Sequence, residues 1–358
     1  MAKLRIGFIG TGKRKDGVGS ASEGFFMAYF HWRAYRKLPN IEFVACADIV
    51  HENAAEFAAN TGTQGVYTDY KEMLAREKPD LVSICTWPHL HSEIVIACAR
   101  AGVKAIHCEK PMAATWKEAK EMARVVEECG SRLTINHQRR FGDPYQKLLE
   151  IRRSGKIGEL KRMEASCPNL WDWGDHYCDM LQMMNDETPA AWALGQMDFH
   201  KGDKWFGMYV EDRGIWHIGY QNGVEAIFMT GPDSRSRPGI RLIGTRGVAE
   251  YHWEQPTVRV LSDGNKGWEL YEESTGGWDP PSYWEVTYFD RALADIVNSL
   301  REGRPTQLRS ELAMRGHEVA FACYESVRCR GVVTLPINIE DNPFEQMVAS
   351  GELRVSKG

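Results

Sequence analysis

Two stretches of this chain gather side chains that do chemistry. Residues 107–111 read His-Cys-Glu-Lys-Pro, directly after the apolar run 103–106. A lysine at a sheet end is costly unless it has a partner or a task, and Pro111 forbids the strand from continuing. Two readings follow. One is an ordinary strand exit with Lys110 paired to Glu109. The other is a fixed perch whose amine stabilises negative charge growing on a reacting oxygen. The second stretch, 171–180, reads Trp-Asp-Trp-Gly-Asp-His-Tyr-Cys-Asp-Met. On a helix, Asp172, His176 and Asp179 fall on one face, because residues three and four apart are neighbours there. His176 is suited to general-base work, since imidazole titrates near neutral pH. A satisfied core histidine is the rival reading. A metal group of Asp, His and Asp has no second ligand cluster beside it, so no metal is expected.

A third motif would serve a nucleotide. Ile6-Gly7-Phe8-Ile9-Gly10-Thr11-Gly12 is a strand running into a glycine turn. In a dinucleotide site such glycines make the tight turn and let the backbone approach a pyrophosphate. The third glycine of the usual spacing is replaced by Lys15, and the stretch from Lys13 to Glu23 reads as an enlarged loop. A helix is expected to start near Ser22, with Gly24 in the close-packing position. Asp48 ends the second strand, where a carboxylate accepts from an adenosine ribose and repels a 2′-phosphate, favouring NAD over NADP. The basic trio Lys13, Arg14 and Lys15 keeps NADP open.

The elements that must position these groups alternate over the first 135 residues. Short, continuous apolar runs at 4–9, 43–47, 81–86, 103–108 and 133–137 are strands of a parallel sheet covered on both faces. Helical patterns lie between them at 52–60, 69–76, 92–101 and 115–128. Thr115 and Glu118 have capping-box spacing, and Gly62, Gly102 and Gly130 fall where helices end in a left-handed residue. A doubly wound α/β domain over 1–137 results. After about residue 155 the texture changes. Strand-like segments at 214–221, 224–230, 239–244 and 258–261 are separated by turns, and Asn222-Gly223 marks a hairpin. The second domain, 138–358, is therefore an α+β unit with an open, mainly antiparallel sheet. Amphipathic helices over 283–302 and 310–328 close it.

Bulk composition narrows the partners. With 44 basic and 49 acidic residues the net charge is −5, and no basic block points to nucleic acid. No apolar run approaches the ~20 residues of a membrane helix, and the N-terminus begins a strand at once, leaving no room for a signal peptide. Nine cysteines without a C-x-x-C pair suit a reduced, cytoplasmic protein. Most of the 12 tryptophans and 13 tyrosines lie after residue 170, as on carbohydrate-facing surfaces or in aromatic cores.

Taken in order, Gly10-Thr11-Gly12, "VACAD" ending at Asp48, "DYKEMLAREKPDLVSICT", Pro88, His91, "IACARAGVKAIHCEKPMA", "HQRRF", "GKIGEL" and "WDWGDHYCDML" resemble the Gfo/Idh/MocA family (glucose–fructose oxidoreductase, inositol dehydrogenase, MocA). The likeness is strong over about residues 4–185 and loose beyond. It implies an N-terminal Rossmann domain that binds NAD through Gly10, Thr11, Gly12, Asp48, Thr86, Pro88, His91 and Glu109. It further implies oxidation of a secondary hydroxyl on a sugar, sugar derivative or cyclitol, with Lys110, Asp172 and His176 catalytic. Arg140, His137, Trp173 and Asp172 would face the substrate. Trp171 and Trp173 flank Asp172 and read either as stacking walls for a sugar or, as tryptophans more often do, as core. The C-terminal sheet would join copies into a homodimer or homotetramer. Two alternatives come with the family: redox-neutral glycoside cleavage or epimerisation with retained NAD, and a catalytically silent NAD-binding regulator.

Overall fold

The computed structural model describes residues 3–13, 26–252, 257–271 and 287–355. The expected loop beyond Lys13, the helix start near Ser22, the role of Gly24 and the first turn of the 283–302 helix lie outside the described residues. Two compact units emerge, Met1–Gln138 with Ser282–Ala313, and Arg139–Pro281 with Met314–Gly358.

In the first unit the strands β1 (Leu4–Ile9), β2 (Ile41–Ala47), β3 (Gly65–Tyr67), β4 (Leu81–Ile84), β5 (Ala105–Cys108) and β6 (Arg132–Ile135) form a sheet. Their order is β3-β2-β1-β4-β5-β6, and every pair is parallel. That order reverses between β1 and β4, the point outside whose carboxyl ends open α/β sheets bind ligands. The covering helices are α1 (Met27–Tyr35), α2 (His51–Thr61), α3 (Tyr70–Glu77), α4 (Pro88–Arg100) and α5 (Trp116–Glu128). Burial along the whole of β4 and β5 accounts for their mainly apolar spelling, broken only by Ser83 and His107. Gly62, Gly102 and Gly130 all have positive φ, and the Thr115–Glu118 capping box is present. A later helix, α8 (Thr287–Glu302), belongs to this unit instead of the second domain in which its sequence position put it. The physical reason is an aromatic contact, Phe289 stacked on Phe30 of α1 with ring centroids 5.5 Å apart. The free edge of β6 is met by the following segment, where Ile135 N–H donates to Leu308 O at 3.0 Å.

The second unit is built on a mixed sheet of nine strands among the described residues, ordered β16-β15-β14-β13-β7-β12-β11-β8-β17. Its strands are β7 (Leu160–Cys167), β8 (Ala190–Asp198), β11 (Arg213–Tyr220), β12 (Glu225–Thr230), β13 (Pro238–Gly244), β14 (Gly247–His252), β15 (Thr257–Ser262), β16 (Glu269–Tyr271) and β17 (Val333–Thr334). A separate two-stranded ribbon pairs β9 (Lys204–Trp205) with β10 (Met208–Tyr209). One pair, β7 with β12, is parallel, and the others in the large sheet are antiparallel. Asn222-Gly223 turns β11 into β12, and Thr245-Arg246 turns β13 into β14. Helices α6 (Asp143–Arg153), α7 (Trp173–Met184) and α9 (Ser310–Cys329) supply the aromatic rings of the core, and α10 (Pro343–Ala349) ends the fold. Tyr145 meets Tyr251 at 5.5 Å, Tyr177 meets Phe228 at 5.8 Å and Tyr324 meets Trp216 at 5.6 Å between centroids. No helix among the described residues is long and apolar enough to cross a membrane.

Candidate active site

At the carboxyl end of β1, Gly10 has φ +81°, and a Cβ there would sit 2.7 Å from Thr86 Cγ2 and 3.0 Å from the Cys85 carbonyl carbon. Glycine is therefore required by conformation and by space. Thr11 and Gly12 follow, and both backbone N–H groups donate to Asp48 Oδ2, at 2.9 and 3.0 Å. The Thr11 hydroxyl donates to the same oxygen at 3.2 Å, while Asp48 Oδ1 accepts from Val50 N–H at 2.9 Å. The carboxylate assigned to a ribose thus also ties the glycine turn to the end of β2. That second task is invisible in a motif.

Thr86 follows β4, and Pro88 opens α4 at its first turn. His91 is buried, with Nδ1 2.9 Å from Pro111 O and Nε2 3.0 Å from Thr86 O. Burial pushes this imidazole below its ordinary pKa, against two carbonyl contacts that favour the charged ring. A neutral ring carries one N–H, so His91 donates to one of these carbonyls and packs against the other, between the end of β4 and the Lys110–Pro111 corner.

That corner leaves β5 through a cis Lys110–Pro111 bond. Lys110 is half-buried, and its backbone N–H donates to Glu109 Oε2 at 3.2 Å. Glu109 is 6% exposed, and its Oε1 accepts from Asn136 Nδ2 at 2.7 Å and from His31 Nε2 at 3.0 Å. Burial works against ionisation, but the His31 hydrogen bond and charge, the Asn136 amide and the Lys110 charge outweigh it and hold this carboxyl at about 2. His137, just past β6, is buried.

In the second unit, Asp172 directly precedes α7 without a side-chain cap bond, His176 and Asp179 lie inside the helix, and all three are buried. The sequence spacing therefore becomes a helical face. Asn169 fixes the approach: its Oδ1 accepts from Asp172 N–H at 2.8 Å, and its carbonyl accepts from Gly174 N–H at 2.8 Å. Buried Glu211 accepts from Leu170 N–H at 2.6 Å, from the Thr230 hydroxyl at 2.7 Å and from the Tyr324 hydroxyl at 3.0 Å. Burial raises its pKa, with those donors opposing. Neither Asn169 nor Glu211 carries a sequence signal beyond its polarity.

Arg140, which the resemblance turns toward the substrate, lies buried against two carboxylates. It is 2% exposed; its Nε donates to Asp179 Oδ2 and its Nη1 to Glu187 Oε1, each at 2.6 Å. Those two carboxylates raise its already high pKa, so the guanidinium is a strut between α7 and the turn after it. Its neighbour Arg139 lies over the Trp173 ring, 4.6 Å from the centroid. Trp173 is half-buried, whereas Trp171 is 2% exposed and packs on His317 and Phe321, the core reading of that residue. Among the described residues no group of three or more His, Cys, Asp or Glu side chains could hold a metal ion.

Comparison with known proteins bears on this geometry. Residues 4–137 match the family model described as an oxidoreductase family with an NAD-binding Rossmann fold. A 4-carboxy-2-hydroxymuconate-6-semialdehyde dehydrogenase from Sphingobium sp. is 34% identical over 116 residues, 32% of this chain and 36% of that protein. A D-apiose dehydrogenase from Paraburkholderia graminis is 33% identical over 365 residues, 92% of each chain. The chain spans about two fifths of the first curated relatives it matches, at 36%, 41% and 42% of their lengths. A solved levoglucosan dehydrogenase, in complex with NADH and levoglucosan, superposes with a TM-score of 0.77 at 20% identity, covering 94% of this chain and 100% of the other. That likeness shows the fold.

The residues fit a dinucleotide. Gly10 turns with the left-handed φ of +81° that a glycine turn requires, and two buried polar atoms at strand ends, Thr86 Oγ1 and Asn136 Oδ1, have no hydrogen-bond partner among the described residues. By the D-apiose dehydrogenase match across 92% of both chains, the protein belongs to the Gfo/Idh/MocA oxidoreductase family, and its first unit is that family's NAD-binding Rossmann fold.

Proposed function

We propose that the protein is a dehydrogenase that oxidises a secondary hydroxyl of a sugar, sugar derivative or cyclitol. Bound NAD supplies the hydride acceptor, through its nicotinamide ring. The chain supplies the rest. His176 takes the hydroxyl proton as general base. The Lys110 ammonium favours the negative charge that develops on that oxygen. Asp172 orients the hydroxyl or the imidazole, and Trp173 offers a ring for a sugar face to stack on. Gly10, Thr11, Gly12, Asp48 and Thr86 hold the dinucleotide.

The observation that carries this reading is the fixed Lys110–Pro111 corner at the carboxyl end of β5, two strands from the glycine turn in a sheet ordered β3-β2-β1-β4-β5-β6. The substrate class is supported by the D-apiose dehydrogenase, the relative aligned over 92% of both chains. The test is absorbance of the reduced nicotinamide on adding NAD and a panel of sugars, sugar acids and cyclitols. Lys110→Ala and His176→Ala should each abolish turnover while NAD still binds. Turnover that survives either substitution removes that residue from the reaction.

The same reading includes pairing of copies through the large sheet. Facing residues across the ladder put Leu194, Ile215, Ile227, Ile243, Val248 and Leu261 on one side of it. Ile215 is 59% exposed and Leu194 40% exposed, and exposed apolar side chains of this kind support a contact between copies there.

A further inference from the structure

A buried polar chain runs through the first unit and ends on the Lys110 corner. His31, on α1, is fully enclosed; its Nδ1 is 3.1 Å from Ser83 Oγ on β4 and its Nε2 is 3.0 Å from Glu109 Oε1. Ser83 Oγ is in turn 3.3 Å from the Tyr35 hydroxyl, one helical turn further along α1. Asn136, just past β6, donates to the same Glu109 oxygen at 2.7 Å. With Glu109 ionised it can only accept, so the proton in the shorter contact to His31 sits on Nε2. The other oxygen, Oε2, accepts the backbone N–H of Lys110 at 3.2 Å.

A carboxylate is costly in such a place unless every lone pair meets a donor. Sheet stability alone would be served as well by apolar side chains at 31 and 109. What the polar set does in addition is fix one peptide. Glu109 holds the N–H of Lys110 from one side, and His91 meets the carbonyl of Pro111 from the other, at 2.9 Å. The corner is therefore held at one end by Glu109, which His31 of α1 grips in turn, and at the other by His91 of α4.

We propose that His31 is a positioning residue for Lys110: its Nε2–H and the Asn136 amide grip one oxygen of Glu109, so that the other stays on the Lys110 backbone and fixes the corner that carries the amine. The consequence for catalysis rests on the reading of Lys110 as the charge-stabilising group. The positioning itself does not.

Two isosteric substitutions separate positioning from packing. His31→Gln keeps a donor where Nε2 stood and so keeps the Glu109 contact. His31→Asn reproduces only the Nδ1 side, toward Ser83. Both are neutral and polar, so their general effects on folding are alike. With lysine amides labelled in the intact protein, hydrogen exchange reads the Lys110 N–H directly. Lys104 N–H, bonded to Asp80 O at 3.1 Å in the same unit, reports general loosening. The expected result is that His31→Asn speeds Lys110 exchange about tenfold beyond any change at Lys104, the loss of one hydrogen bond to a charged group. His31→Gln should stay within about threefold of the parent. Equal exchange in the two variants, an unchanged Lys110 in His31→Asn, or an equal rise at Lys104 would each overturn the proposal. With a panel substrate, kcat should fall in His31→Asn, with KM little changed, and recover in His31→Gln. Should Lys110→Ala keep full turnover, the proposed function fails while the exchange result stands or falls by itself.

Discussion

Arg140 and Asp179 form a buried ion pair, Nε to Oδ2 at 2.6 Å, in which each side chain is 2% exposed. Glu187 completes it through Nη1, also at 2.6 Å. Removing one member of such a set leaves an uncompensated buried charge, which costs about 3–5 kcal/mol. Arg140→Met should therefore lower the unfolding free energy by that amount in urea, with the helix carrying His176 loosened first. Arg140→Lys should recover little of it, because an ammonium cannot reach both carboxylates in the same plane. A loss confined to substrate KM, with stability unchanged, would return Arg140 to the substrate.

Asp48 predicts a cofactor effect in two parts. Its Oδ2 accepts from Thr11 N–H, the Thr11 hydroxyl and Gly12 N–H, so it shapes the turn in addition to the ribose contact proposed for it. Hydrogen bonds to a charged group contribute about 1.5–3 kcal/mol each. Asp48→Ala should weaken NAD at least about tenfold, and weaken NADP less, since a carboxylate repels the 2′-phosphate. Fluorescence titration with both nucleotides checks it, and equal losses for the two would show that turn geometry alone is at stake.

How much of this could be read beforehand follows the range of the interactions. Continuous apolar strands, the glycine turn, the Thr115–Glu118 capping box and the Asn222-Gly223 hairpin are local, and local patterns spell them. The three-residue edge strand β3 is too short to show a period, and α6 carries no cap bond at Gly142 to announce it. Placement of α8 depends on Phe289 meeting Phe30, a contact no window contains. The same holds for the site. Lys110, Asp172 and His176 stand out by type and spacing, but His31 meets Glu109 from 78 residues away, and Arg140 meets Glu187 from 47. Which of two adjacent arginines pairs inside and which lies over Trp173 is decided by those distant carboxylates.

Gly10 tests the glycine turn without touching a charge. Gly10→Ala places a methyl 2.7 Å from Thr86 Cγ2 and 3.0 Å from the Cys85 backbone, at φ +81°. A left-handed non-glycine residue costs of order 1–3 kcal/mol, before any overlap is relieved. The expected outcome is a thermal midpoint lowered by several degrees and NAD binding reduced beyond what unfolding explains. A variant as stable as its parent would mean that the end of β4 yields easily.

Two buried carboxyls should give the protein opposite responses to acid. Glu109 is held at about 2, below the ordinary carboxyl value of 4.5. A depressed carboxyl stabilises the fold fully above its unfolded value, and that contribution drains away as pH falls through 4.5 toward 2, on the order of 3 kcal/mol in all. Glu211 is shifted the other way, its burial outweighing the bonds from Thr230, Leu170 and Tyr324. A raised carboxyl costs the fold stability once pH exceeds its unfolded value, so lowering the pH relieves it. Glu109→Gln should therefore be less stable than its parent at pH 7, with the gap closing toward pH 2. Glu211→Gln should be at least as stable as its parent at pH 7 and lose any advantage below about pH 4. Urea unfolding of both variants at pH 7 and pH 3 separates the two signs, and parallel pH curves for Glu109→Gln and its parent would mean that His31 and Asn136 do not hold a charge there.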